Sequence, residues 1–363
     1  MRRPVWRGLR VNQPTRSSTL GRALLFSLVC IAAACGSTAD SYLNDTWTWD
    51  GADWHKAGSS DGPSWRFGAL YVYDEATGEI VLFGGEDAAG KLLSETWTWD
   101  GHWKLRHPAI FPPARRWPAA AYDPIRNDVI MFGGNIGKGQ AGDIGDTWIW
   151  DGQTWSQNAF RQGQSPPAQS FGPAAAAFDP ASKQVVLVNS PTCIVEPGEG
   201  CSPDTWSWDG KTWTLHPSSA VIAASQSGFL FADTKRGRLV MLDGGFWTLS
   251  GVSRVWDGVN WSALSAPPFN QVTVAGLAYD DGAASLVAFG GDRCNTAYTT
   301  TPSPTANTSE TMVFDGTTWS QLQPVNRPPA RDETYLAYDS KRRQIIMFGG
   351  WVRGQCSGVG ALP

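Results

Sequence analysis

The chain is poor in the residues that most enzymes use for chemistry. Only 4 of its 363 residues are histidine and 6 are cysteine. The histidines, His55, His102, His107 and His216, all sit in or beside one recurring tryptophan-rich stretch, so they are not expected to meet around a metal. No C-x-x-C spacing occurs, which removes the common zinc and dithiol motifs. No nucleophile–base pair stands out, and the sequence calls for no cofactor, no metal and no catalytic residue. Charged side chains make up 17% of the chain, with a formal net charge of −4. Residues 1–34 hold six arginines and no acid, so without them the net charge is about −10. That sign argues against nucleic acid and against charge-driven binding to anionic headgroups.

The N-terminus reads as an address. "MRRPVWRGLRVNQPTRSSTLGR" is basic and "ALLFSLVCIAAAC" is apolar, the pattern of a secretory signal at residues 1–34, with an apolar run too short for a permanent span. Ala32-Ala33-Ala34-Cys35-Gly36 resembles the lipobox of bacterial lipoproteins. It implies lipidation of Cys35, a tether over 35–44 and a membrane-anchored, exported protein at the cell envelope. The alternative is a plain cleavage site and secretion. Four cysteines remain, Cys193, Cys201, Cys294 and Cys356, an even number that in an exported chain reads as two disulfides. Cys193 and Cys201 flank one loop and pair locally in this reading, leaving Cys294 with Cys356. Free or metal-binding thiols are the competing reading.

What the chain has in excess is tryptophan, 20 residues, written in a repeat. The copies are "DTWTWDGADW" (45–54), "ETWTWDGHW" (95–103), "DTWIWDGQTW" (146–155), "DTWSWDGKTW" (204–213), "SRVWDGVNW" (253–261) and "ETMVFDGTTW" (310–319). A second stretch alternates with them: "YVYDEATGEIVLFGG" (71–85), "AAYDPIRNDVIMFGG" (120–134), "AAFDPASKQVVLVNS" (176–190), "LFADTKRGRLVMLDGG" (230–245), "LAYDDGAASLVAFGG" (277–291) and "LAYDSKRRQIIMFGG" (336–350). Its aspartates, Asp74, Asp123, Asp179, Asp233, Asp280 and Asp339, each stand about ten residues before the end of the next apolar run. Each copy of this stretch reads as a hairpin of strands A and B. The tryptophan stretch supplies strands C and D, joined by Asp-Gly, the pair favoured in two-residue turns. On that reading Trp206 and Trp208 share a face and Trp213 lies across from Trp206. "WDGHW" is one residue shorter, which leaves the face of Trp103 open.

The A–B–C–D order, the double glycines closing strand B (Gly84-Gly85, Gly133-Gly134, Gly244-Gly245, Gly290-Gly291, Gly349-Gly350) and the strand D tryptophan resemble kelch repeats, including those of the galactose-oxidase central domain. The likeness covers about residues 45–350. It breaks at Asn189-Ser190, where asparagine is expected to supply the left-handed backbone, and at Met312-Val313-Phe314. It implies an all-β fold, a six-bladed kelch-type propeller over 45–363 with four antiparallel strands per blade. N-terminal strands C and D (45–57) would close the ring with C-terminal strands A and B (333–350). The repeated tryptophans then fill the wedges between blades, rather than stacking on sugars.

Alternation places the B–C and D–A loops on one end, and these vary most: "NIGKGQAGDIG" (135–145), "PTCIVEPGEGC" (191–201) and "DRCNTAYTTTPSPTANTS" (292–309). Just before strand A the copies carry Arg66, Arg115 with Arg116, and Arg331 with Asp332 and Glu333, against Ser170 or Phe171, Ser225 and Val272 elsewhere. These six residues read as ligand-binding at the channel mouth, because guanidinium groups converging there suit a carboxylate or phosphate. The other reading is structural, an arginine used between blades. "GEDAAGKL" (85–92) is discounted as a phosphate loop, since Leu92 replaces the hydroxyl and no helix follows. The copper centre of galactose oxidase has no residue-by-residue counterpart. The leading reading is a monomeric, non-catalytic propeller binding a protein or glycan ligand through its loop face, touching the membrane only through an N-terminal lipid. The alternative is a sugar-active enzyme like the kelch-type sialic-acid mutarotases, with Arg66, Arg115, Arg331 and Glu333 as the anion clamp and acid/base.

Overall fold

The computed structural model describes residues 40–58, 61–137, 142–161, 163–168, 174–189, 204–217, 229–245, 248–264, 275–292 and 307–353. The signal, Cys35, the other four cysteines, Ser170, Phe171, Ser225 and Val272 lie outside these residues. The chain divides into units Met1–Gly36 and Ser37–Pro363, and the second is described here.

Twenty-four strands form six four-stranded antiparallel sheets. Blade 1 runs Leu70–Asp74 (A), Glu79–Phe83 (B), Thr96–Trp99 (C) and Trp103–Arg106 (D). Blades 2 to 5 follow over 119–158, 175–216, 229–264 and 276–322. Blade 6 is shared between the chain ends: Tyr335–Asp339 and Gln344–Val352 pair with Ser41–Trp49 and Trp54–Ala57. Strand C of blade 6 starts at Ser41, so residues 41–44, expected as tether, belong to the propeller. A six-bladed propeller is the architecture that the repeat implied.

Strand B shows why the blades need each other. Ile80, Val81, Leu82 and Phe83 are all fully buried, because alternate residues face different neighbours. Ile80 and Leu82 pack with Ile346 and Phe348 of blade 6, whereas Val81 and Phe83 pack with Val129 and Met131 of blade 2. A run with both faces covered has no polar side, so it reads as continuous apolar sequence.

The strand D tryptophan locks five of the six seams. Trp103, Trp155, Trp213, Trp261 and Trp54 donate from Nε1 to the hydroxyls of Thr46, Thr96, Thr147, Thr205 and Thr311, at 2.9–3.0 Å. Each acceptor lies on strand C of the preceding blade. The threonine of the D/E-T-W motif is therefore the buried partner of a tryptophan one blade away.

Two local expectations are corrected. Trp213 pairs across from Trp208, and Leu215 from Trp206. The reason is the C–D connection, which is not a two-residue turn. Asp209 Oδ1 accepts from the N–H groups of Lys211 and Thr212, both at 2.8 Å, closing a four-residue loop in which Gly210 has φ +96°. In blade 1 the shorter turn is absorbed without changing the pairing, since Trp103 still faces Trp99. Asn189 also departs from expectation: it stays in strand register opposite Asp204, and its amide donates to Pro167 O at 2.7 Å.

The double glycines answer to a crossing chain. A Cβ on Gly84 would fall 2.7 Å from the Arg115 carbonyl oxygen, and that same oxygen accepts from Gly85 N at 2.8 Å. Gly84 and Gly85 have φ of +72° and +92°, which a β-carbon disfavours.

The blades are not equivalent. Strands B and C are long in blades 2, 4 and 6, at Asp128–Asn135 with Asp143–Trp150, Arg238–Gly245 with Thr248–Trp256, and Gln344–Val352 with Ser41–Trp49. Each of these three pairs continues past a register shift. The same blades carry Arg126, Arg236 and Arg342 in their A–B turns. Each arginine pairs with its own strand A aspartate and donates to a C–D turn carbonyl of the next blade, Asp209, Asp315 or Asp100.

Replacing Thr96 by valine strands the Trp155 N–H and is expected to lower unfolding free energy by about 1–3 kcal/mol. Trp155→Ala, which also empties a seam, is expected to cost about 3–5 kcal/mol. Denaturant titration checks both, and equal losses would contradict this division of roles.

Candidate functional site

Three of the sequence-predicted arginines are built into the blades. Arg66, Arg115 and Arg331 are 1%, 0% and 0% exposed. Arg115 donates from Nη1 to Gly133 O at 2.9 Å and to Asp146 Oδ1 at 2.5 Å, from Nη2 to Asp146 Oδ2 at 3.0 Å, and from Nε to Pro113 O. Arg331 repeats the set with Gly349 O, Asp45 and Pro329 O, and Arg66 with Gly84 O, Glu95 and Ser64. The carboxylates are shared with strand C tryptophans, as Trp47, Trp97 and Trp148 donate to Asp45, Glu95 and Asp146. Burial raises the Asp45 carboxyl, but the hydrogen bonds and charge of Arg331 outweigh it and hold it below the usual range. The Arg331–Asp45 pair also ties the C-terminal half of blade 6 to the N-terminal half. The anion clamp expected from these three residues is thus corrected: their guanidinium groups are spent inside the blades.

Arg116 is half-buried. It pairs with Glu86 of blade 1 and lies 4.1 Å over the Trp117 ring. The stretch "GEDAAGKL" forms a tight loop in which Asp87 Oδ1 accepts from Ala89 N and Lys91 N.

Asp332 and Glu333 enter a cluster that sequence reading did not assemble. Arg353, just past the last strand of blade 6, donates from Nε to Asp332 Oδ2 at 2.7 Å and from Nη2 to Glu333 Oε1 at 3.4 Å. Its Nη1 lies 3.9 Å from Asp292 of blade 5, and its backbone N–H donates to Asn307 Oδ1 at 2.5 Å. The Arg353 guanidinium also sits 4.1 Å over the Trp351 ring. Asp332 is fully buried, and its Oδ1 makes no hydrogen bond, although the Asn307 amide faces it. Burial and the Asp292 charge push Asp332 up to about 6 against the pull of Arg353. Burial first, then the Asp332 charge, push Glu333 up to about 8. Three carboxyl groups face one guanidinium, and Glu333 is the one that keeps its proton near neutrality.

Glu333 has φ +51°, and Trp117 takes φ +57° at the same position two residues past the buried arginine of blade 2. In blade 1 that position is Gly68, where a Cβ would meet the Trp117 ring. Holding a side chain there costs roughly 1–3 kcal/mol. The fold maintains that strain beside the axis.

Next to the cluster lies an aromatic surface. Tyr42 is 45% exposed, with ring centroids 4.2 Å from Trp65 and 5.8 Å from Trp351. The buried indole N–H groups of Trp65 and Trp351 meet no acceptor among the described residues. These residues flank the repeat landmarks, Trp65 just before Arg66 and Trp351 just after Gly349-Gly350. Below, the A strands enclose a cavity of about 320 Å3 walled by alanines, leucines, Tyr71 and Tyr335. Both phenols are engaged, Tyr71 donating to Ile346 O and Tyr335 to Arg66 O, and burial raises both. Asp332 and Glu333 directly precede Thr334 on that wall.

His55 and His216 lie on D strands, His102 in a C–D turn and His107 just past a D strand. Among the described residues no group of three or more histidine, cysteine or carboxylate side chains is arranged to hold a metal.

The chain has a six-bladed β-propeller fold. It is similar to the solved structure of YjhT, with a TM-score of 0.52 and 12% identity over 77% of this chain and 89% of that one. A fungal alcohol oxidase of the AA5 family in complex with copper matches with a TM-score of 0.45 and 12% identity, over 80% of this chain and 76% of that one. No protein-family model matches the chain, and no curated protein matches it in sequence.

The raised Glu333 and Asp332 give a signed pH dependence. A carboxyl with its folded pKa above the unfolded value stabilises most at low pH and loses that contribution as pH rises through the folded value. Stability should therefore fall between about pH 5 and pH 8. Glu333→Gln should flatten that slope and be the more stable protein at the upper end. Denaturation midpoints across this range test it, and an unchanged slope in the variant would count against the assignment.

Proposed function

We propose that this propeller is a glycan-binding protein without catalysis of its own, engaging its ligand on the loop face where blades 5, 6 and 1 meet. The observation that carries this reading is the Tyr42, Trp65 and Trp351 surface beside the Asp332–Glu333–Arg353 cluster. Aromatic faces stack on sugar rings, and the 45% exposed Tyr42 ring offers such a face. Export to the cell envelope through residues 1–34 and a lipid on Cys35 belongs to the same proposal, and suits a protein that meets extracellular saccharide.

Thermal melts with a panel of neutral, acidic and amino oligosaccharides test it. A ligand at one hundred times its dissociation constant adds about 2.7 kcal/mol, which a melt resolves readily. The shift should vanish in Tyr42→Ala and shrink in Trp351→Ala. If no saccharide shifts the melt, the ligand is of another class.

A second reading rests on one observation, a carboxyl that keeps its proton to about pH 8 at the rim of the axial cavity. A sugar-active enzyme that moves a proton, such as a mutarotase, needs such a group. Here Glu333→Gln would slow anomer exchange, followed by NMR, by 100-fold or more. Exchange at the uncatalysed rate with the unmutated protein removes this reading.

A further inference from the structure

The position of Arg353 is informative because its side chain already plays a ligand's part. Its guanidinium lies on an aromatic face, 4.1 Å over Trp351, and between carboxylates of two blades. An aromatic face flanked by acids selects a cation, and this pocket has selected one from its own chain. Yet that cation does not fill it. Only the Asp332 Oδ2 contact is short, the Glu333 contact is 3.4 Å, and the buried Asp332 Oδ1 is faced among the described residues only by the neutral Asn307 amide, beyond normal hydrogen-bond length. A carboxylate oxygen left this way is costly, and a second donor bearing positive charge would relieve it. Arg353 is also the most exposed member of the cluster, with 20% of its side chain open against 0% for Asp332 and 6% for Glu333, so it covers the acids from the solvent side.

We propose that the loop-face site takes an amino sugar, a saccharide with a free protonated amine, whose ring stacks on Tyr42 and Trp351 and whose ammonium enters the Asp332–Glu333 pocket beside or in place of Arg353. This rests on the glycan-binding reading above and names the class of glycan. A neutral sugar leaves Asp332 Oδ1 unmet. An N-acetylated sugar adds bulk and loses the charge. A sialic acid or uronic acid brings a carboxylate against those of Asp332 and Asp292. Arg353 then acts as an internal competitor, holding the acids until an amine replaces or joins it.

Calorimetric titration of the purified protein with three tetrasaccharides of one linkage separates the possibilities: β-1,4-linked glucosamine, its fully N-acetylated form, and cellotetraose. The free-amine tetramer should bind at least tenfold tighter than either of the others. Asp332→Asn combined with Glu333→Gln should abolish that preference while leaving weak binding of cellotetraose. Arg353→Gln should strengthen binding of the amine tetramer several-fold, and melting curves establish that each variant is folded. Equal binding of all three sugars overturns the amine assignment and leaves the glycan reading standing. Binding of none overturns both. Because Arg353→Gln removes the competitor without touching the acids, it tests the proposal even where the double variant fails to fold.

Discussion

Every part of this molecule depends on the fact that a blade cannot cover its own faces. Strand B of blade 1 is buried on both sides by residues of two other blades, and five of the six strand D tryptophans find their hydrogen-bond acceptor one blade back. A blade alone would expose both faces and leave those indoles unmet. Stability is therefore a property of the seams, and the ring must close. Closure falls inside blade 6, where four residues ahead of the expected start of the first strand join the sheet and Arg331 meets Asp45 across 286 residues of sequence.

The sequence was most legible where the same constraint acts six times. Buried aspartates ending strand A, apolar B strands and paired aromatics recur because all seams are alike, so strand order and blade number follow from counting. It was least legible where a short motif has two geometries. Asp-Gly favours a two-residue turn in isolation, but here the aspartate carboxylate gathers two backbone N–H groups and opens the loop to four residues, which moves the partner of Trp213 by two positions. At Asn189 a rule about left-handed backbone gave way to a side-chain bond with Pro167.

The site was legible by address but not by role. Arg66, Arg115 and Arg331 were found, yet their partners Glu95, Asp146 and Asp45 also belong to the repeat, and a pattern cannot show that two of its own members are bonded. A trace was available, since each of these arginines occurs in a copy whose tryptophan stretch opens with an acid. Asp204, in a blade without the arginine, has its carboxyl pushed up by burial instead. Arg353, Tyr42, Trp65 and Trp351 carry no repeated signal, because they belong to one stretch of the ring. What makes a place on a repeated scaffold specific is what the repeat does not contain.

The alternation of long and short blades bears on how such a ring can be cut and joined. Arginine clasps run from blade 2 to 3, from 4 to 5 and from 6 to 1, while the seams 1–2, 3–4 and 5–6 have no clasp of this kind among the described residues. The chain is thus organised as three two-blade modules. New termini placed at an unclasped seam would leave every module whole, and termini placed at a clasped seam would split one. The module boundary at 5–6 is also where Asp292 and Asn307 meet Arg353, so the proposed site lies on a joint between modules.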